Sequence, residues 1–251
     1  MSRVYWLESK TELLKMVRLK QYSLSTVGFP LMFYCLFGLA MGQFAPGSVS
    51  LSRYLLATFG AFGVMGATLY AFGAGVAVER GLGWLEVKRA SPMPPAAYFV
   101  AKGVVSLTFG ALVVTLLFAL GAIFGGVRMP AGQWLLMWVV LVAGAIPFGA
   151  IGLAIGSFAG PNSAPGIVNL IYLPMGLLGG LWMPIEVLPK GLQHLAPWLP
   201  SYHFGQIALA ILRVPVRGTV FGHVEALVGF GLVFAGIAWI GQSRDREKIY
   251  G

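Results

Sequence analysis

The sequence predicts an all-α membrane protein with six transmembrane helices, an N-terminal interfacial amphipathic helix, and a re-entrant or interfacial helical segment between spans five and six. Three observations lead to this fold class. Of the 251 residues, 58% are hydrophobic and only 10% are charged, whereas a soluble domain is about 25% charged. Several charge-free runs reach the roughly 20 residues that a bilayer span needs. Finally, most basic residues lie between alternate runs, which is typical of membrane proteins.

Each predicted span lies in a run without charged residues, because a charge in hydrocarbon is unfavourable. The run between Arg128 and Glu186 is too long for one helix, and the turn-forming residues 160–165 divide it in two. Segment 184–220 is apolar but contains several prolines; we expect it to be re-entrant or interfacial, because unpaired backbone in lipid costs several kcal/mol per group. The predicted spans, all within one domain of residues 1–251, are residues 24–44, 54–78, 96–124, 133–156, 166–183 and 222–241.

The distribution of Lys and Arg predicts the orientation. Twelve of them lie in the N-terminal segment, the loop after span two and the C-terminus, and five lie on the other side. Both termini are therefore expected in the cytoplasm, with the protein in the inner (plasma) membrane. The net charge of +9 is explained by topology and by contact with membrane lipids, so no nucleic-acid partner is expected. The single cysteine, Cys35, excludes an intrachain disulfide.

Residues 5–22 are predicted to form an amphipathic helix before the first span. Aromatic, aliphatic and basic residues share one side of it, as in helices that lie in the headgroup plane. The alternative is a cytoplasmic lead-in that only helps to orient the first span.

The loop after span two is the most highly charged internal segment. It opens with an acid–base pair, continues as a short amphipathic helix and ends at Ser91-Pro92, because proline does not continue a helix. A rigid helix on the cytoplasmic face suits contact with a soluble partner, and a solvated loop that orients the spans is the alternative. The candidate residues are Glu79, Arg80, Trp84, Glu86, Lys88 and Arg89.

A second segment, rich in glycine and proline, follows span five. Glycine permits close helix approach, which suits a dimer seam or a gate. Glu186 is interpreted either as a helix cap or as a site for a cation or a basic substrate, and Asn162 and Asn169 either as packing groups or as groups that face a substrate. The residues singled out in this segment are Gly179, Gly180, Pro184, Glu186 and Pro189.

Together the two segments resemble the ABC-2 family of transporter permeases, the membrane subunits of ATP-driven exporters. The family signature after the second span is matched by Glu79-Arg80, Leu85-Glu86 and Ala90-Ser91-Pro92, although Gly83-Trp84 stands where members usually have Gly-Thr. Lys102 matches a lysine that members often have at the start of span three. Residues 179–202 are similar to the family's segment between spans five and six.

The resemblance implies a homodimer that exports a substrate with a separate cytoplasmic ABC ATPase. The chain has no Gly-x-x-x-x-Gly-Lys-Ser/Thr phosphate loop, so no cofactor is expected on it, and ATP and Mg are expected on the partner. By the same resemblance, the six candidate residues of the loop would form a coupling helix that docks on the ATPase, and the five residues singled out after span five, the candidate gate residues, would shape an extracellular gate.

Two other classes of function are considered. An ion-gradient-driven secondary transporter or channel would need charged residues at mid-membrane depth, and none of the predicted spans has one at its centre. An intramembrane enzyme would need a catalytic set that the sequence does not offer, and its three histidines lack the further ligands that predict a metal site. The sequence does not predict which substrate is moved.

Overall fold

The computed structural model describes residues 2–41 and 50–250, apart from the side chains of Gln21, Arg89 and residues 244–250. The described residues form helices joined by short loops. In chain order these helices are α1 (Ser2–Arg18), α2 (Lys20–Phe33), α3 (Leu51–Leu69), α4 (Gly75–Gly81), α5 (Trp84–Ala90), α6 (Pro95–Ile123), α7 (Ala131–Ala143), α8 (Ala145–Phe158), α9 (Ala164–Leu178), α10 (Lys190–Leu195), α11 (Pro200–Ile211) and α12 (Val220–Tyr250). Two π-helical stretches, Tyr34–Ala40 and Tyr70–Ala74, extend α2 and join α3 to α4.

Within the described residues, which are helical without strands, five stretches are long and apolar enough to cross a membrane, so the chain is a multi-pass membrane protein. They overlap the first, second, third, fourth and sixth predicted spans, although residues 42–44 of the first lie outside the described residues. The five stretches are Tyr22–Ala40, Leu51–Gly81, Pro95–Ile123, Ala131–Phe158 and Val220–Ser243.

The fifth predicted span, residues 166–183, differs from the helix that forms there. α9 has 15 residues and is therefore about 22 Å long, which is shorter than a hydrocarbon core of about 30 Å. It ends at Leu178 because Gly180 adopts a left-handed φ of 75°. The amide of Leu181 then donates to the carbonyl of Gly176 at 2.9 Å, a bond that closes a helix end in the Schellman manner.

α3 is the central helix of the bundle, and its side chains from Leu55 to Leu69 are buried. It packs against α2, α6, α7, α8, α9 and α11. Close approach to α6 depends on Gly63, because a Cβ there would lie 2.4 Å from Cγ1 of Val113. Small residues serve this purpose at helix contacts within membranes.

The predicted re-entrant or interfacial segment 184–220 consists of short helices. α11 is the longest, and it is largely buried against α3, α7, α9 and α12. Its backbone hydrogen bonds lie within the helix, and neighbouring helices cover its sides.

At the other end of the bundle, α1 ends at Arg18, four residues before the predicted boundary. Leu19 has φ −74° and ψ 80°, so the chain turns there before α2 begins. α1 packs along the start of α6, and it buries Glu12 and Met16 against the bundle.

Candidate functional site

A cluster of charged side chains is buried where α1, α4 and α6 meet. Glu12 and Lys15 lie one turn apart on α1, Glu79 lies near the end of α4, and Lys102 lies in the second turn of α6. Tyr98 lies one turn before Lys102, so both side chains project from one face of that helix. The cluster thus joins three helices that are far apart in the chain.

The two lysines and two carboxylates of this ion cluster bind one another directly. Nζ of Lys102 lies 2.9 Å from Oε1 of Glu79 and also binds the carboxylate of Glu12. Nζ of Lys15 lies 3.0 Å from Oε1 of Glu12 and also binds Glu79. The hydroxyl of Tyr98 donates to Oε2 of Glu79 at 2.6 Å. Two positive and two negative charges therefore balance within the cluster.

Burial makes this balance important. Lys102 is fully buried, and Glu12 and Glu79 are 4% and 7% exposed. A buried ion pair contributes little net stability over an apolar pair, but loss of one partner leaves an uncompensated charge and costs about 3–5 kcal/mol. The cluster therefore holds α1 in one position relative to α4 and α6.

Lys15 lies at the open edge of the cluster. Burial lowers the pKa of its ammonium group, but the neighbouring carboxylates of Glu79 and Glu12 outweigh that effect, so the pKa is raised overall. Lys15 is consequently positively charged at every physiological pH.

Two further contacts attach the loop after span two to its surroundings. Nζ of Lys88 on α5 lies 2.6 Å from Oε1 of Glu8 on α1 and 4.6 Å from the ring centroid of Tyr98. The guanidinium of Arg80 on α4 donates to the carbonyl of Ser157, in the last turn of α8. It also donates to the carbonyl of Ala159, just after that helix, at 2.7 Å. α5 is thereby connected to α1, and α4, which precedes it, is connected to α8.

The structure separates the six candidate docking residues into two groups. Trp84 and Glu86 lie on the surface, and so does Val87 of α5, at 64% exposure. Leu82, in the turn before α5, is 67% exposed. By contrast, Glu79, Arg80 and Lys88 bind other helices of this chain. The side chain of Arg89 lies outside the described residues.

Sequence reasoning did not single out Glu12 and Lys15, and it gave Lys102 no partner. Their spacing of three on α1 is a local signal of an ion pair. Nothing in the sequence indicates that Glu12 turns toward Lys102, which is 90 positions away.

The five candidate gate residues follow the C-terminal end of α9. Gly179 sits against Ser201, where a Cβ would be 2.3 Å from its Oγ, and the carbonyl of Gly180 accepts from the hydroxyl of Tyr54 at 3.3 Å. Pro184 and Pro189 each precede a short helix.

Glu186 faces an arginine of the loop before α12. Its Oε1 lies 3.6 Å from Nη2 of Arg217, and both side chains are more than half exposed. Such a surface pair contributes about 0–1 kcal/mol.

Two of the three histidines meet at this end of the bundle. Nδ1 of His203 lies 2.8 Å from Nδ1 of His223, and Nε2 of His203 donates to the carbonyl of Pro197 at 2.9 Å. Burial lowers the pKa of His203, although the Pro197 carbonyl opposes this. Among the side chains that the structure describes, no group of three His, Cys, Asp or Glu is placed to hold a metal ion.

Glu12, Lys15 and Glu79 of the ion cluster line part of a cavity of about 1210 Å³ between α1, α2, α9 and the π-helical stretch 70–74. Aromatic side chains, among them Tyr22, Phe29 and Tyr172, line its walls. Asn169 also faces it and accepts a hydrogen bond from the hydroxyl of Tyr70. The volume is above the usual range of about 300–1,000 Å³ for ligand pockets.

The fold and the cluster together define a polytopic membrane protein with a charged loop anchored to an N-terminal helix. Residues 3–213 match the family model described as ABC-2 type transporter. A relative from Bacillus subtilis (strain 168), named "Putative transport permease YvfS", is 32% identical over 206 residues, which cover 82% of this chain and 84% of the relative. The chain therefore belongs to the ABC-2 type transporter family, a family of membrane transport permeases.

Proposed function

We propose that this chain is the membrane-spanning subunit of an ABC exporter, which couples ATP hydrolysis by a separate cytoplasmic ATPase to export of a substrate. It works as a homodimer in the inner (plasma) membrane, with both termini in the cytoplasm and six crossings, of which α9 with its adjoining outer segment is one. The observation that carries the proposal is the position of α5, which exposes an apolar face and is tied to the ion cluster.

The exposed face of α5 has the chemistry of a docking surface. Trp84 and Val87 are exposed at 55% and 64%, and aromatic and aliphatic anchors of this kind dominate protein interfaces. Glu86 provides a charged rim. In this proposal Trp84, Val87 and Glu86 contact the ATPase, Arg89 belongs to the same surface, and Glu79, Arg80 and Lys88 hold α5 in place.

The anchoring of α5 supports transmission of movement. A displacement of α5 by the closing ATPase acts on α4 directly and on α1 through Lys88 and Glu8. It reaches α8 through α4, because Arg80 of α4 binds the carbonyls at the end of α8. Differential contacts at α5 would then favour one of two arrangements of the helices, which is the thermodynamic requirement for coupling.

The cavity of about 1210 Å³ is the proposed site of substrate, because it opens beside the cluster and its walls are aromatic and apolar. The candidate gate residues that follow α9 form the proposed extracellular gate, with α10 and α11 as a re-entrant segment packed against the bundle.

The test is affinity capture of the tagged chain from its native membranes in mild detergent, with partners identified by mass spectrometry. Val87→Glu is compared with Val187→Glu, because both valines are similarly exposed, at 64% and 69%, but lie at opposite ends of the proposed pathway. We expect the wild-type chain to recover an ATPase in stoichiometric amount, Val87→Glu to recover at least tenfold less, and Val187→Glu to match the wild type.

Recovery of the chain without an ATPase, or equal loss with both variants, would contradict the proposal. In that case transport in vesicles that collapses with an ionophore would favour the alternative, an ion-gradient-driven transporter or channel.

A further inference from the structure

A second cavity, separate from the ion cluster, opens between three of the spanning helices. It has a volume of about 530 Å³, which is within the range of ligand pockets. α8 packs along α12 and touches α6, so α8 forms the floor of a groove whose walls are α6 and α12. Nearly all of the lining is apolar, with small residues such as Gly103, Gly149 and Ala235.

The length of this groove corresponds to one leaflet of a bilayer. On α6, α8 and α12 the lining residues extend over positions 99–107, 145–153 and 235–243, which is about 12 Å along each helix. Half of a hydrocarbon core of about 30 Å is roughly 15 Å. An extended acyl chain of a single leaflet fits this length, whereas a transmembrane helix of a partner would extend well beyond it.

One end of the groove is polar, and it is the end near the ion cluster. Gln242 and Ser243 lie there on α12. Phe99 of the groove follows Tyr98 of the cluster, so the polar end faces the cytoplasm in the orientation proposed above. The sequence beyond it, Arg244-Asp245-Arg246-Glu247-Lys248, alternates basic and acidic residues, so the polar groups that belong to the groove itself are those of Gln242 and Ser243.

We infer that this groove binds a phospholipid of the cytoplasmic leaflet, with an acyl chain against α8 and the headgroup phosphate beside Gln242 and Ser243. The polar end supplies an amide donor from Gln242 and a hydroxyl donor from Ser243 to the phosphate oxygens. The apolar walls supply the contact surface for the chain. The lipid fills the space between α6 and α12 and stabilises their separation.

The experiment measures phospholipid bound to the purified full-length chain, with any partner that copurifies, by native mass spectrometry after extensive detergent washing. Gly103 lines the groove, so the ring of Gly103→Phe would occupy it. The substitution should be tolerated, because no neighbouring atom lies within 4 Å of a Cβ at this position. Gly229→Phe is the matched control, since Gly229 on α12 is equally free of neighbours and does not line the groove. Ala235→Trp is a second variant for the case in which Gly103→Phe does not fold.

We expect about one phospholipid per wild-type chain and per Gly229→Phe chain, and at least fivefold lower occupancy in the groove variants. Phosphatidylglycerol added to the delipidated wild-type chain should raise its Tm, because a ligand that binds the folded state stabilises it. Unchanged occupancy in a folded groove variant, or no Tm increase in the wild type, would overturn the inference. A change of oligomeric state in Gly103→Phe without loss of lipid would assign the groove to a second copy of the chain and would overturn it as well.

Discussion

Replacing Lys102 by methionine tests whether the ion cluster holds the N-terminal helix in place. Methionine has a similar length but no charge, so the substitution leaves Glu12 and Glu79 with Lys15 as their remaining partner. Loss of one partner of a buried ion pair costs about 3–5 kcal/mol. At about 2–4 °C per kcal/mol for a chain of this size, the expected decrease in Tm is roughly 6–20 °C.

The assay is thermal unfolding in detergent, followed by intrinsic tryptophan fluorescence, with Lys20→Met as the control. Lys20 is exposed, and surface substitutions usually change stability by less than about 0.5 kcal/mol. The double variant Lys102→Met with Glu12→Gln restores charge balance, so its destabilisation should be smaller than the sum of the two single effects by at least about 1 kcal/mol. A Tm of Lys102→Met within about 2 °C of the control would refute the reasoning, because that difference corresponds to less than about 1 kcal/mol. Strict additivity in the double variant would refute it as well.

Three further predictions concern other parts of the bundle. Gly63→Ala places a Cβ 2.4 Å from a side chain of α6 and should lower the free energy of unfolding by about 1–3 kcal/mol through overpacking. The measurement is a Tm decrease that the control Gly229→Ala does not share. Equal Tm values would show that the two helices can move apart to accept the methyl group. Tyr98→Phe removes the hydroxyl that donates to Glu79 at 2.6 Å and should destabilise the chain by about 1.5–3 kcal/mol, and a denaturation curve that superimposes on the wild type would contradict this. The pKa of His203 is lowered by burial, so the unfolded chain binds more protons there, and stability should fall as the pH drops below the ordinary value of 6.5. When Tm is measured from about pH 8 to pH 5, a range that brackets a pKa of about 6.5, it should decline less steeply for His203→Gln than for the wild type. Parallel curves would exclude this role of His203.

The spanning helices could be predicted from the sequence because the physical signal is local. A run without charge is visible in the residues themselves, and five of the predicted spans correspond to helices long enough to cross a membrane. The fifth predicted span was less predictable. Its apolar run continues past Leu178, whereas the helix ends there through the backbone conformation of Gly180, which composition does not reveal.

The ion cluster could not be predicted because its partners are distant in sequence. The amphipathic pattern of residues 5–22 indicates a helix with one apolar side, but the same pattern suits contact with lipid headgroups and contact with another helix. Glu79 was placed on a docking surface because it belongs to a charged loop. Only the packing of α1 on α6 brings Glu12 to Lys102. Lys102 was counted in the sequence as a charge that orients the spans, and this packing buries it in the interior.

The order of synthesis gives the ion cluster a consequence for assembly. Glu12 is made 90 residues before Lys102, which is a delay of roughly 5–18 s at 5–20 residues per second. During that interval its carboxylate has no buried partner, and hydration at the membrane surface is its most stable state. The N-terminal helix therefore reaches its final position only after the third hydrophobic stretch has left the ribosome and inserted, so the first helix to be made is among the last to settle.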